Sequence, residues 1–166
     1  MASTFTNADG LTRRYGGDGI PSVGGVHKVV TYGAGGVLVV DFDVDNLPGF
    51  DKDAGGGSTP DSFSSLKAYL PAGAWIKSAT ILVKTALAGT TPTLTIGTYE
   101  QDGTVIDADG IDAAVAAADL AANKVVLCNG AQVGGTASLA ADAYIVAVTG
   151  GTATAGAFRL VVEYVI

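Results

Sequence analysis

Tyr69-Leu-Pro-Ala-Gly-Ala-Trp-Ile-Lys-Ser-Ala-Thr-Ile-Leu-Val-Lys84, followed by Pro92-Thr-Leu-Thr-Ile-Gly-Thr98, is the stretch that decides the fold. Ala79, Ile81, Val83 and Leu87 fall on one side of an extended chain, with Ser78, Thr80 and Lys84 on the other. That period of two is the pattern of a half-buried strand. After a loop, Leu94 and Ile96 repeat it, and Gln101-Asp102-Gly103 supplies a hairpin turn. The spacing predicts strands over 75–87 and 93–99. Leu82 shares the polar face of the first, which makes it a candidate contact between copies of the chain.

Working outward, Val26–Tyr32 and Gly36–Val44 suit a hairpin closed at Gly33-Ala34-Gly35. In its second strand Leu38, Val40, Phe42 and Val44 face the core, and Asp41, Asp43 and Asp45 face water. The run 47–60, with Pro48, Gly55-Gly56-Gly57 and Pro60, is a long loop. Residues 62–70 resume an extended pattern. Lys124–Cys128, Ala143–Thr149 and Phe158–Ile166 complete the strands, with a turn at Gly150-Gly151 and a buried C-terminus. One segment departs from the β pattern: Ile111–Asn123 is mostly Ala, opens on Asp112 and ends on Asn123, which predicts a short connecting helix. The expectation is an all-β domain over 26–166, a β-sandwich or jelly roll with one short Ala-rich helix.

Residues 1–25 hold seven Gly or Pro positions, from Gly10 to Gly25, and few large apolar side chains. Such a segment is expected to be a flexible or extended arm that gains order from a partner. Phe5, Leu11, Arg13, Arg14 and Tyr15 are its candidate anchors: the apolar groups can fill pockets and the arginines can pair with carboxylates.

Composition narrows the function classes. The 166 residues carry a formal charge of −7 and only 15% charged residues. No basic cluster is available to displace counterions from nucleic acid. A mean hydropathy of +0.40 with so few charges leaves surplus apolar surface, which predicts self-association. No apolar run approaches the length of a membrane helix. The start of the chain has no basic and apolar regions of a secretory leader, and a single Cys excludes an internal disulfide.

No catalytic or metal-ligating constellation emerges, and no cofactor is expected. Asp41-Phe-Asp43-Val-Asp45-Asn46 has the carboxylate spacing of a calcium loop, but its sixth position is Asn46 and its twelfth is Lys52, where that loop needs Gly and Glu. Asp102, Asp107, Asp109 and Asp112 are explained by turn and helix-capping chemistry. His27 and Cys128 lack an orienting third group. The Gly-rich runs at 16–19 and 33–36 match no phosphate-binding pattern. Glu100 and Glu163 are the only glutamates, which disfavours a paired-carboxylate glycosidase. Tyr15, Tyr69, Trp75 and Tyr99 form a sugar-stacking platform only if the fold gathers them on one face.

The block 69–84, the strand at 92–98 and the Asp-Gly loops after it resemble virion structural proteins of tailed bacteriophages, over roughly Ser62–Leu127. The resemblance implies a non-enzymatic head protein of the decoration or cement type. Such a protein binds the major capsid protein on the capsid exterior, often as a trimer, and is assembled in the host cytoplasm. The competing reading is a β-sandwich carbohydrate- or receptor-binding module of a phage fibre or surface protein.

Overall fold

Alternating burial along β4 (Gly35–Asp43) follows directly from its sequence, with Leu38, Val40 and Phe42 inside and Val37, Val39 and Asp41 turned outward. The computed structural model describes residues 3–6, 12–15, 28–32, 35–45, 47–48, 69–100 and 102–166. Among them every regular element is a strand. β3 (Lys28–Tyr32) pairs antiparallel with β4, from Lys28 opposite Val39 to Tyr32 opposite Gly35, which is the predicted hairpin. Ahead of it, β1 (Ser3–Thr6) and β2 (Thr12–Tyr15) form a separate two-stranded sheet. Of the predicted strand at 62–70, only β5 (Tyr69–Leu70) lies within the described residues.

The two segments expected at 75–87 and 93–99 are one strand, β6 (Trp75–Tyr99). Those expected at 143–149 and 158–166 are likewise one, β9 (Ala143–Val165). They pair antiparallel from Trp75 opposite Val165 to Tyr99 opposite Tyr144. A straight strand of 25 residues would span roughly 80 Å. Yet in the connector after β8 (Val125–Leu127), Gly134 N donates to Ile76 O while Gln132 N donates to Gly110 O, on the strand paired with the far half of β6. Two residues apart on one segment, these bonds tie the ends of β6 together, so the ribbon is folded back on itself. The bend falls where the register slips between Val83 and Thr93, at Gly89 (φ 143°) and Thr91 (φ 47°). Gly150-Gly151 belongs to this bend and does not end a strand.

Folding the ribbon makes two layers. In layer I the order is β3, β4, the C-terminal half of β9, the N-terminal half of β6, then β8. Layer II runs β5, the N-terminal half of β9, the C-terminal half of β6, then β7 (Val105–Ala116). Both contribute to one core: Leu38, Ile81, Phe158, Leu160 and Val162 from layer I, and Leu70, Leu94, Ile96, Ile111 and Ile145 from layer II. Each fully buried side chain of this size contributes about 1.5–3 kcal/mol. Ile166 is exposed, contrary to the expectation for the C-terminus: the burial that begins at Phe158 stops at Tyr164.

The Ala-rich helix is absent. Residues 105–116 are an edge strand and 117–123 a chain of turns, with Asn123 at φ 64° donating its N–H to Val83 O. The far half of β6 offers an unpaired edge, and satisfying that edge outweighs the helix propensity of Ala. β7 fits only with bulges: between Ile96 and Thr98 its partner steps from Asp112 to Asp107. Small side chains permit the crowding, and bulges keep an edge from recruiting other strands.

Candidate interaction surfaces

On the outer face of layer I, which also carries Asp43 and Glu163, two cations converge on the carboxylate of Asp41. Asp41 and Arg159 are register partners on β4 and β9. Arg159 donates from Nε to Oδ1 at 2.7 Å and from Nη2 to Oδ2 at 2.6 Å, and Lys84 Nζ reaches Oδ1 at 2.8 Å. These two cations, the guanidinium foremost, hold the Asp41 carboxyl down to about 2 against the opposing effect of its partial burial. The expected water-facing acidic face is thus, at Asp41, an ion-paired one.

Beside this cluster the face is apolar. Two rows cross layer I in register: Asp41, Arg159, Leu82 and Val125, then Val39, Val161, Thr80 and Leu127. Leu82, the predicted contact, is half-buried between Arg159 and Val125. Val125 and Leu127 are 61% and 75% exposed on a three-residue edge strand. Sequence reasoning missed both, although Val125-Val126-Leu127 has no polar residue for its outer face, and an apolar run without alternation is the pattern that betrays an uncovered side chain.

Layer II carries a second row, Tyr69, Tyr144, Tyr99 and Val105. The Tyr69 and Tyr144 rings lie 5.5 Å apart, tilted by 31°. Desolvation raises the phenol pKa of both Tyr99 and Tyr144. The fold gathers two of the four aromatics considered for a platform and adds Tyr144. Trp75 pairs with Val165 in layer I, and Tyr15 lies on β2. With Tyr144 only 7% exposed, the row is a packed seam and not an open platform. It ends on Val105, 55% exposed, at the hairpin joining β6 and β7. That turn is fixed by three bonds: Glu100 N to Thr104 O, Gly103 N to Glu100 O, and Thr104 N to the Asp102 carboxylate at 2.9 Å.

Asp112, expected to cap a helix, instead stands buried against Cys128, joining β7 to the connector after β8. Burial, then the neighbouring carboxylate, pushes the Cys128 thiol far above the ordinary range. His27 lies outside the described residues. Among those described, no group of three or more His, Cys, Asp or Glu is placed to hold a metal ion, and no helix is long and apolar enough to cross a membrane. Of the candidate anchors, Phe5 stands opposite Arg13, Thr4 opposite Arg14 and Ser3 opposite Tyr15 in the β1–β2 pair, and Leu11 lies outside the described residues.

No protein-family model matches the chain, and no curated protein matches it. Two solved structures contain similar chains. One is the cyanophage Pam1 capsid asymmetric unit, at 17% identity over 97% of this chain and 97% of that one, with a TM-score of 0.46. The other is the capsid of Ralstonia phage GP4, at 19% identity over 78% of this chain and 83% of that one, also with a TM-score of 0.46.

Proposed function

We propose that this chain is a structural protein of a bacteriophage head, of the decoration or cement type. It binds the major capsid protein on the capsid exterior and associates with itself as a trimer. The observation that carries the reading is the outer face of layer I, where Leu82 adjoins two strongly exposed apolar side chains, Val125 and Leu127, on an edge strand. Surface of that kind is made to be covered. The resemblance of residues 69–84 to tailed-phage virion proteins supplies the setting, and the acidic charge suits basic partner surface. In this reading the arm, residues 1–25, reaches the lattice or a neighbouring subunit.

The test compares heads assembled with and without the chain by cryo-electron microscopy. Density on the outer lattice that vanishes when the chain is omitted is the expected result. Density lost from a tail or fibre instead overturns the head assignment and favours the receptor-binding alternative, for which the Tyr69–Tyr144–Tyr99 seam would first have to open.

A further inference from the structure

We propose that copies of this chain join head to tail, the β6–β7 hairpin of one seating on the outer face of layer I of the next. The inference rests on the self-association in the reading above and specifies which surfaces meet. Copies of a chain with a formal charge of −7 repel one another wherever acidic surface meets acidic surface. Among the described residues, relief is available on the outer face of layer I. There Lys84 and Arg159 stand with Asp41, Asp43 and Glu163, so the outer face beside Leu82 is close to charge-balanced, whereas the hairpin joining β6 and β7 is wholly acidic. Outside β2, the basic residues among those described, Lys28, Lys77, Lys84, Lys124 and Arg159, all lie on layer I strands or beside β8.

The acidic hairpin meets least repulsion on that face, where Lys84 and Arg159 are within its reach. From Thr98 to Asn123 the chain has no basic residue, while Glu100, Asp102, Asp107 and Asp109 cluster at the turn and the first part of β7. Val105 projects there as an exposed apolar knob matched to Leu82, Val125 and Leu127. The turn is held by its own hydrogen bonds, so little ordering cost attends its docking. Face and hairpin belong to different layers of the same subunit, so the contact is heterologous. A heterologous contact must close into a ring or run on as a filament, and a ring of three gives the trimer.

Two exposed-site variants of the full chain test this: Leu127→Asp disables the face, and Val105→Asp disables the hairpin. Sedimentation velocity at low salt should show wild type as a closed oligomer. Each variant alone should be a monomer, with association weakened at least about thirtyfold, and should keep the wild-type circular dichroism and melting curve. Mixed in equal amounts, the variants should form heterodimers and nothing larger, since each pair retains one intact face and one intact hairpin. A monomeric wild type, a Val105→Asp variant that still assembles, or a mixture that stays monomeric overturns the proposal. If Val105→Asp assembles and both it and wild type decorate heads, the contact is refuted and the head assignment stands. Assembly as described, without any density on heads, refutes the head assignment and leaves the contact standing.

Discussion

Arg159 grips both carboxylate oxygens of Asp41 from the neighbouring strand, a two-pronged pair in a chain where lysines and arginines are scarce. Two-pronged pairs fix geometry as well as charge. This one pins β4 to β9 on the outer face, opposite the Phe42 and Phe158 rings that meet inside with centroids 5.4 Å apart.

Acid should weaken the fold through this pair. The folded carboxyl titrates at about 2, below the unfolded value near 3.9. Its contribution is therefore present above about pH 4 and is lost as pH falls through about 2. Arg159 and Lys84 are half exposed, so solvent screens the pair to about 1 kcal/mol. Asp41→Asn is expected to remove about that much at neutral pH and to flatten the decline between about pH 4 and 2. Urea titrations of both proteins across that range check it; identical acid slopes would exclude the pair as a determinant.

Gly97 is expected to be intolerant of any side chain. A Cβ there would run into the Ala108 carbonyl and crowd that of Asp107, both backbone of the bulged β7. Backbone cannot rotate aside, so Gly97→Ala should cost about 2–3 kcal/mol or expel the bulge. Thermal unfolding and amide exchange at 107–112 report which occurs. A melting temperature equal to wild type with unchanged exchange would show that β7 does not lie against β6 in this register.

The Cys128 thiol should be silent in the native protein. Desolvation, reinforced by the Asp112 carboxylate, holds it protonated at alkaline pH, and the thiolate is the reactive form. A disulfide-exchange reagent at about pH 8 should label it only as fast as the domain opens. Labelling without denaturant at the rate of a free thiol would mean that the β7 edge opens independently of the core.

The alternation of Leu38, Val40 and Phe42, and of Ala79, Ile81 and Val83, was legible because a period of two has one physical cause, a sheet with one wet face. Residues 111–123 were not legible. Alanine's helix preference amounts to a fraction of a kcal/mol per residue and yields to a vacant strand edge, and the vacancy on β6 exists only once β6 and β9 have folded back together. Gly150-Gly151 misled for a related reason: a local turn composition served a bend whose partner, at Gly89 and Thr91, bends with it. The Asp112–Cys128 and Tyr144–Tyr99 contacts are non-local, and no spacing in the sequence announces them.

The N-terminal segment gives the last prediction. β1 and β2 pair with each other in their own sheet, so deleting residues 2–24 removes no ladder from the two layers. Stability should stay within about 0.5 kcal/mol of wild type, as for other changes away from a core. The β1–β2 pairing folds residues 3–15 back on themselves, which shortens the reach of the segment to contact with an adjacent subunit. Arg13 and Arg14 bring adjacent positive charges to an acidic protein, suited to a carboxylate on that neighbour. Attachment to heads should therefore weaken at least about tenfold on deletion, equivalent to about 1.4 kcal/mol. Replacing Arg13 and Arg14 by Ala should reproduce most of the loss, and its size should shrink as salt is raised. Equal co-sedimentation of full-length and truncated chains with heads would take the segment out of the attachment.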